Sequence, residues 1–386
     1  MKQTNFKFFC KIISIIICVL TLSSSLTTVS FAKSTAKKKS KAEITLSKIS
    51  LEDKVGQLFI VTPEQLDTKH SNIKSINNTI KSSIKKYRVG GIIMFAGNIG
   101  TPSGITKFNK ELQKATKTKM FISVDEEGGS VARIANNKKF KVKKFSNMQT
   151  IGKTKKTSNA ENVGKTIGSY LKKYGFNLDF APVADINTNP KNIVIGKRAF
   201  GSSPTLVANM VNAEIKGFHK SKMMTCVKHF PGHGDTTGDT HKGYVAVNKT
   251  WSQMKKCELI PFQKAFKSPT DMVMVAHITA KKVTKDGLPA SLSKEMITNK
   301  LRKELKYNGV VITDAMQMGA IAKKYKGGDA AVKAIKAGVD IILMPNGLSQ
   351  SYNAVLKAVK SGKISKKELD THVLRILKLK EKYGLL

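Results

Sequence analysis

Residues 309–316 have the sequence GVVITDAM, in which an unbroken apolar and β-branched run ends in an aspartate, Asp314. A strand with one face in water alternates apolar and polar residues, whereas a strand that is buried on both faces does not alternate. The run therefore predicts a buried strand of a parallel sheet. Seven further segments have the same character: residues 55–62, 89–95, 120–124, 178–186, 224–230, 272–278 and 340–345.

Amphipathic segments separate these runs. In residues 158–174, for example, Val163, Ile167 and Leu171 recur at helical spacing, and residues 204–220, 292–305 and 330–337 follow the same pattern. Strands that alternate with helices indicate a parallel α/β sheet. Eight such units in one chain favour a single-domain (β/α)8 barrel of the TIM type. An open doubly wound sheet is the alternative, because no sequence rule fixes closure of the barrel.

Polar residues gather at the carboxyl ends of the predicted strands. In a (β/α)8 barrel these ends, with the loops that follow them, form the active site. A hydrophobic core gives no reason for polar groups to lie there, so the pattern predicts one shared cleft. The residues concerned are Asp125, Glu126, Glu127, Asp185, Lys228, His229, His277, Asp314 and Asn346.

The N-terminus has the pattern of an export signal. Basic residues precede an apolar run at 12–22, and small residues before and at Ala32 suit cleavage there. We therefore expect residues 1–32 to be a signal peptide, residues 33–46 to be a flexible Lys/Ser-rich lead-in and residues 47–386 to form the barrel. The protein is then secreted or associated with the cell wall. A membrane tether through an uncleaved N-terminus is the alternative.

The chain is strongly basic, with 68 Lys+Arg against 26 Asp+Glu and a net charge of +42. The basic residues are scattered and lack the interleaved aromatics of a nucleic-acid surface, so no nucleic-acid partner is expected. Long-range attraction to an anionic cell wall is one explanation of this charge. A general lysine bias in composition is the other. Only Cys226 and Cys257 lie outside the predicted signal, and their spacing leaves open whether they pair.

Residues 228–241, KHFPGHGDTTGDTH, contain three histidines and two aspartates in a stretch too rich in glycine for a helix. A metal site is one alternative, but no cysteine is close and the glycines leave the ligand geometry unfixed. A phosphate-binding loop needs its lysine after the glycines, whereas Lys228 precedes them. Asp239 and His241 are two residues apart, which suits a carboxylate that orients an imidazole for proton transfer. With Asp314 as nucleophile and His241 as acid, the residues fit the retaining glycosidase scheme.

The loop sequence resembles the motif KHFPGHGDTxxDSH of family 3 glycoside hydrolases of the β-N-acetylglucosaminidase type. Further segments resemble that family in the same order along the chain. These are VDEEGGSVAR (124–133), LDFAPVADI (178–186), IGKRAFG (195–201) and VITDAM (311–316). The departures at Glu126, Ser130, Ala199 and Thr240 lie beside the motif residues and put fine specificity in doubt more than reaction type.

The resemblance implies a (β/α)8 barrel and a role for each matching residue. Asp314 would be the nucleophile, His241 the general acid and base, and Asp239 its partner. Binding of the terminal sugar would fall to Asp125, Arg133, Arg198, Lys228 and His229. The implied activity is retaining, exo-acting hydrolysis of terminal β-linked N-acetylglucosamine from peptidoglycan-derived or related saccharides, with no metal or organic cofactor. Some relatives carry a second domain that supplies a carboxylate acid. The present sequence ends at Leu386 and contains the dyad, which favours an N-acetylhexosaminidase over a glucosidase.

Other interpretations stay open at this level. The enzyme could be an N-acetylglucosaminide phosphorylase, because an imidazole acid need not repel phosphate, or the protein could be a non-catalytic, basic wall-binding protein. Asp314 could serve only as a helix N-cap, and Arg198 could pair with Asp185. Glu126 and Glu127 are expected to stabilise loop geometry rather than to catalyse.

Overall fold

Eight strands lie side by side in one parallel sheet, in the order β7-β6-β5-β4-β3-β2-β1-β8. The computed structural model describes residues 39–268 and 270–386. The strands are β1 (Phe59–Val61), β2 (Gly91–Met94), β3 (Phe121–Val124), β4 (Leu178–Asp179), β5 (Met224–Phe230), β6 (Met272–Val275), β7 (Val310–Thr313) and β8 (Ile342–Leu343). Every residue of all eight is buried, as the unalternating sequences predicted.

The two outer strands of this order meet and nearly close the sheet. Ile312 of β7 forms a parallel bridge with Ile341, which precedes β8. The N–H of Thr313 donates to the carbonyl of Ile341 over 3.0 Å, and the N–H of Ile341 donates to the carbonyl of Val311 over 3.0 Å. The predicted (β/α)8 barrel is therefore confirmed, and the open sheet is excluded.

Helices cover the outside of the barrel. In chain order they are α1 (Lys41–Lys48), α2 (Leu51–Gln57), α3 (Pro63–Leu66), α4 (Asn78–Tyr87), α5 (Pro102–Lys114), α6 (Met148–Lys153), α7 (Thr157–Lys173), α8 (Pro204–Lys220), α9 (Trp251–Lys255), α10 (Ile260–Lys267), a π-helix (Glu295–Glu304), α11 (Gly319–Ala322), α12 (Gly327–Ala337), α13 (Leu348–Lys360) and α14 (Lys366–Lys382). Helix α8 illustrates the local rules. Ser203 accepts the N–H of Leu206 as N-cap, and Pro204 occupies the first turn, where its missing N–H costs nothing.

The structure corrects two sequence predictions about secondary structure. The run at 55–62 was expected to be a strand throughout, but α2 continues to Gln57 before β1 begins at Phe59. Ser50 and Asp53 form a capping box that starts α2, so the helix extends into the apolar run. The segment 292–305 is helical as predicted, but most of it is a π-helix, which apolar periodicity does not distinguish from an α-helix.

The lead-in at 33–46 was predicted to be flexible. For its second half this prediction is wrong, because that half is helical. Helix α1 begins after Ser40, which forms a capping box with Glu43. The backbone N–H groups of Lys41 and Ala42 donate to the carboxylate of Glu381 in α14, over 2.9 and 3.1 Å. The carboxylate thus binds the free N–H groups of the α1 N-terminus. The predicted signal peptide and residues 33–38 lie outside the described residues. Among the described helices, none combines the length and apolarity needed to cross a bilayer.

Short extra strands stand at the mouth of the barrel. Glu126–Gly128 pairs antiparallel with Val131–Ala132 after β3, and Ala246–Val247 pairs parallel with Thr279–Ala280 between the loops that follow β5 and β6. Together with the barrel strands they hold the loops where polar residues were expected. Cys226, inside β5, and Cys257 are both free thiols.

Lys380 of α14 is a buried amine without a carboxylate partner among the described residues. Its Nζ donates to Gln57 Oε1 over 2.7 Å and to the Gly90 carbonyl over 3.0 Å. Burial lowers the pKa of Lys380 to about 7. The unfolded chain therefore binds more protons than the folded chain between about pH 7 and 10.5, so this group makes stability rise with pH over that range.

Replacing Lys380 by methionine is expected to remove this pH dependence. At pH 6 the variant should have a higher free energy of unfolding than the natural protein, and this advantage should disappear towards pH 10. The difference between the two proteins should change by on the order of 3 to 5 kcal/mol between those pH values. Urea unfolding at a series of pH values measures the difference. The exposed Lys378→Met change on the same helix is the control and should show a flat difference. Equal profiles for the two variants would contradict the prediction.

Candidate active site

A cavity of about 210 Å³ opens at the carboxyl ends of the barrel strands. Its wall contains seven of the eight residues predicted to act in the site, namely Asp125, Arg133, Arg198, Lys228, His229, His241 and Asp314. The eighth, Asp239, is hydrogen-bonded to His241. Cavities for drug-sized ligands usually exceed roughly 300 Å³. The space is therefore matched to a small group such as one sugar ring.

Lys228, near the end of β5, holds one side of the cavity. The side chain is 2% exposed, and its Nζ lies 2.6 Å from Asp125 Oδ1 and 2.6 Å from Glu127 Oε1. Burial alone would lower the pKa of Lys228, but the two carboxylates outweigh burial and raise it. The lysine is therefore a fixed cation. Asp125 keeps its second oxygen and 18% side-chain exposure, so it faces the cavity as a hydrogen-bond acceptor.

Glu127 joins Lys228 to Arg198 and is the residue whose importance sequence analysis underestimated. Arg198 binds it through two parallel hydrogen bonds, Nε to Oε2 over 2.8 Å and Nη2 to Oε1 over 2.7 Å. Burial opposes ionisation of Glu127, yet the two cations hold its pKa well below the usual range. The pairing of Arg198 with Asp185 suggested by the sequence is therefore wrong. The sequence did indicate that Lys228 is buried and so needs a counter-ion. It could not show that Glu127 is one of the carboxylates that supply it.

Replacing Glu127 by glutamine keeps its shape but removes the charge shared by the two cations. Breaking a buried ion pair on one side leaves an uncompensated charge, so we expect a loss of about 3 to 5 kcal/mol in unfolding free energy. Urea unfolding checks this value. The matched control is Glu111→Gln, whose pair with exposed Lys107 spans 4.0 Å and should matter little. An equal, small effect of both changes would contradict this role of Glu127.

His229 is oriented by Asp185, which ends the apolar run after β4. Nδ1 of His229 donates to Asp185 Oδ2 over 2.6 Å, and the backbone N–H of His233 donates to Oδ1 over 2.6 Å. Asp185 is fully buried, and although burial favours its neutral form, His229 and His233 hold its pKa below the ordinary value. The carboxylate fixes the imidazole tautomer, which leaves Nε2 of His229 towards the cavity side, 3.5 Å from Arg198 Nη2.

Asp314 directly follows β7 and lines the cavity. Its Oδ1 accepts the N–H of Ala315 over 2.7 Å, whereas Oδ2 accepts no hydrogen bond from the described residues. Burial opposes ionisation, but His229, the Ala315 N–H and Lys228 lower the pKa of Asp314. The N-cap of the following helix α11 is Met318, so a capping role of Asp314 is wrong. Asp314 is thus an ionised carboxylate with one free oxygen.

His277 supports the turn that carries Asp314. Its Nε2 donates to the carbonyl of Ala315 over 3.0 Å, and its Nδ1 lies 2.7 Å from Ser291 Oγ. A carbonyl only accepts, so Nε2 carries the proton and Nδ1 accepts from the serine. Burial lowers the pKa of His277, which favours this neutral form. The residue therefore positions the backbone beside Asp314.

The loop after β5 carries the dyad Asp239 and His241. Nδ1 of His241 donates to Asp239 Oδ1 over 2.8 Å, and the backbone N–H of His241 donates to the same oxygen over 2.9 Å. Partial burial opposes ionisation of Asp239, but these two donors hold its pKa below the usual value. Nε2 of His241 has no partner among the described residues. The His241 side chain is 66% exposed, so proton exchange with water is open to it.

This loop is attached to the segment that follows Asp314. The N–H of Gly319 donates to the His241 carbonyl over 3.0 Å, and the N–H of Ala320 donates to the Thr240 carbonyl over 3.0 Å. A Cβ at Gly319 would lie 2.7 Å from the His241 carbonyl oxygen, so only glycine allows this approach. Buried His233 bridges Thr236 Oγ1 at 2.8 Å and Thr240 Oγ1 at 3.2 Å. The loop that carries His241 is therefore hydrogen-bonded to the segment that follows Asp314.

Glu126 fixes the turn that presents Arg133. Fully buried, it accepts the N–H groups of Ile134 and Ala135 over 2.8 Å each and the Tyr170 hydroxyl over 2.8 Å. Arg133 lines the cavity, with its guanidinium 5.7 Å from the centre of the Phe95 ring and its buried Nε without a described partner. Glu126 is thus a structural residue, as the sequence suggested, and it leaves Arg133 available for a ligand.

These contacts define what the site can do. The three histidines of the loop each bind a carboxylate or hydroxyl partner, and no cluster of three or more His, Cys, Asp or Glu side chains in the described ranges is arranged to hold a metal ion. One face presents a free carboxylate oxygen, and the loop presents an imidazole with an orienting carboxylate. Fixed cations and acceptors between them suit a neutral, hydroxyl-rich molecule.

Comparison with known proteins gives consistent matches. The sequence profile of the "Glycosyl hydrolase family 3 N terminal domain" matches residues 50–379. "Beta-hexosaminidase A" of Pseudoalteromonas piscicida is 36% identical over 327 residues, which cover 78% of this chain and 54% of that protein. "Beta-hexosaminidase" of Tolumonas auensis is 30% identical over 72% of this chain and 82% of its own length.

A solved structure agrees with these sequence matches. A glycoside hydrolase family 3 beta-N-acetylglucosaminidase from Paenibacillus sp. str. FPU-7 superposes with a TM-score of 0.82 at 36% identity, over 87% of this chain and 63% of that one. The chain thus spans about half to two thirds of the length of two of these three relatives.

Proposed function

The chain belongs to glycoside hydrolase family 3, and we propose that it is a retaining exo-β-N-acetylglucosaminidase. It is a glycosidase that removes terminal β-linked N-acetylglucosamine from peptidoglycan-derived or related saccharides by hydrolysis. One observation carries the proposal: Asp314 and the His241 imidazole line the same small cavity, with Asp239 bonded to the imidazole.

In the first step, Oδ2 of Asp314 attacks the anomeric carbon, and the bond from that carbon to the leaving oxygen breaks. His241 in its protonated form gives the Nε2 proton to the leaving oxygen, so the aglycone departs as a neutral alcohol. The product on the enzyme is an ester between Asp314 and the sugar. The depressed pKa of Asp314 keeps this nucleophile ionised at neutral pH.

In the second step, neutral His241 accepts a proton from water, and the oxygen of that water attacks the anomeric carbon. The ester bond breaks, Asp314 leaves as a carboxylate, and two inversions give net retention. Asp239 stabilises the imidazolium formed each time, as the ionised partner of Nδ1. The exposure of His241 to solvent supports these proton transfers to and from water.

Sugar binding is assigned to the five residues Asp125, Arg133, Arg198, Lys228 and His229, all on the cavity wall. The ion pairs of Lys228 and Arg198 with Glu127 preorganise donors at fixed positions, which lowers the entropy cost of binding. The small volume supports release of single end sugars rather than cleavage within a long chain.

A substrate panel tests the proposal. The 4-nitrophenyl β-N-acetylglucosaminide, the matching β-glucoside and an N-acetylglucosaminyl–muramic acid disaccharide are each incubated with the enzyme, and early products are followed by proton NMR. We expect the β-anomer of free N-acetylglucosamine as the first product from the first and third substrates. Release of the α-anomer first, or preference for the β-glucoside, would refute the assignment.

Two alternatives are separated by the same set-up. A phosphorylase would form N-acetylglucosamine 1-phosphate when phosphate is added, whereas the proposed hydrolase releases free sugar. A non-catalytic wall-binding protein would turn over none of the substrates. Export and retention at the cell wall remain part of the proposal. Their support is the net charge of +42 and the signal-like residues 1–32, which lie outside the described residues.

A further inference from the structure

A second, larger groove of about 1190 Å³ lies on the outside of the barrel between helices α4 and α5. We call it the α4–α5 groove; it also includes parts of residues 49–57, 74–76 and 115–118. It shares no lining residue with the catalytic cavity. The groove is therefore separate from the chemistry described above.

The groove is strongly basic. Seven cationic side chains line it, against two acidic ones, Asp53 and Glu111. The cations are Lys74, Lys81, Lys85, Arg88, Lys107, Lys114 and Lys117. Each acid is already paired, Asp53 with Arg88 over 3.4 Å and Glu111 with Lys107 over 4.0 Å. Lys74, Lys81, Lys85, Lys114 and Lys117 form no ion pair within the described ranges, and all five are exposed.

Five of the seven cations lie in two rows, one on each helix. Lys81, Lys85 and Arg88 are spaced i, i+4, i+7 along α4 and its C-cap, and Lys107 and Lys114 are spaced seven apart on α5. This spacing places them on one face of each helix, at intervals of roughly one or two turns of 5.4 Å. Lys74 precedes α4 in the chain and Lys117 follows α5, and both also line the groove. The result is a charged track rather than a single anion pocket.

We propose that the α4–α5 groove binds a linear polyol-phosphate polymer, a flexible chain of phosphodiesters without bases. Repeated single charges match the five unpaired lysines that line the groove better than they match one compact anion. The partly exposed Ile49 and Ile76 also line the groove and suit an aliphatic backbone. Among the described lining residues the one aromatic is Phe108, which is 1% exposed, so the groove offers no surface for base stacking.

Binding there would keep the enzyme beside an anionic polymer while the catalytic cavity stays open at the end of the barrel. A tethered enzyme meets substrates held close to that polymer at a raised effective concentration. This inference does not depend on the reaction proposed for Asp314, because the two sites share no residue.

The test compares two full-length variants with equal charge loss. In the groove variant, lysines 74, 81, 85, 114 and 117 become glutamine. In the control variant, five exposed lysines without ion pairs become glutamine on the elements between β5 and β8: Lys256, Lys267, Lys294, Lys303 and Lys336. Affinity for purified poly(glycerol phosphate) of defined length is measured by calorimetry at several salt concentrations. Oligodeoxythymidine and inorganic phosphate are separate arms, and hydrolysis of the nitrophenyl substrate is measured in parallel.

We expect the groove variant to bind poly(glycerol phosphate) about 10- to 100-fold more weakly, because each exposed charge contact contributes only a few-fold. Its salt dependence should also become shallower. The control variant should bind nearly as tightly as the natural protein. Equal losses in both variants would show attraction by net charge alone and overturn the proposal, as would unchanged binding. Equal or tighter binding of oligodeoxythymidine through the same lysines would overturn the choice of partner. Hydrolysis should be unchanged in both, which separates this proposal from the proposed function.

Discussion

The Asp314→Asn enzyme is expected to lose on the order of 10⁴-fold or more in kcat/KM on the nitrophenyl β-N-acetylglucosaminide. Removal of a covalent nucleophile has effects of this size because no other group can form the intermediate. Asp314 has one oxygen bound to the Ala315 N–H and one without a described partner, so the asparagine amide can keep the first contact and cannot replace the second. Steady-state kinetics measures the loss.

The fold should survive this change. The control is Asp329→Asn, an exposed aspartate in the first turn of α12, which should keep full activity. Thermal unfolding of both variants checks that the loss is chemical. An Asp314 variant with more than a tenth of the natural activity would contradict the assignment of the nucleophile.

The His241→Ala enzyme is expected to discriminate between leaving groups. Nitrophenolate departs without protonation, whereas a sugar alcohol needs the imidazole proton. We therefore predict a fall in kcat/KM of about 10³-fold for a disaccharide and a much smaller fall for the nitrophenyl substrate. Loss of the general base slows the second step too, so the nitrophenyl reaction should show a burst of product followed by slow turnover.

The control for His241 is Asp239→Asn, which keeps the ring and removes the charge that stabilises the imidazolium. It should lie between the natural enzyme and His241→Ala on the disaccharide, because the backbone N–H of His241 and its Nδ1 both depend on Asp239 Oδ1. Equal losses on both substrates for His241→Ala would indicate a structural role for the imidazole instead.

The barrel was predictable because its strands carry a local signal. Segments such as 309–313 are apolar without alternation, and burial on both faces requires that composition. Closure was not predictable, since it depends on the contact between Ile312 and Ile341, which no local pattern encodes. The sequence also did not predict that α2 extends into an apolar run, or that residues Glu295–Glu304 form a π-helix. Apolar spacing alone fixes neither the boundary of a helix nor the spacing of its backbone hydrogen bonds.

The site was predictable as a set of residues but not as a set of contacts. The strand-end rule placed Asp314, Lys228 and Asp125 in one region. It could not show that Glu127 binds both Lys228 and Arg198, because that depends on side-chain positions across two strands. The basic groove was hidden for a similar reason. Its lysines come from segments up to 43 residues apart, 74 to 117, and the fold brings them to one groove.

Detection of the covalent bond to the sugar at Asp314 tests the proposed mechanism without relying on rates. The His241→Ala enzyme is mixed with the nitrophenyl β-N-acetylglucosaminide, quenched in acid during the slow phase, and examined by intact-protein mass spectrometry and peptide mapping. We expect a mass increase of one N-acetylhexosaminyl group, on the peptide that contains Asp314. Turnover without any adduct, or an adduct on another residue, would contradict the mechanism.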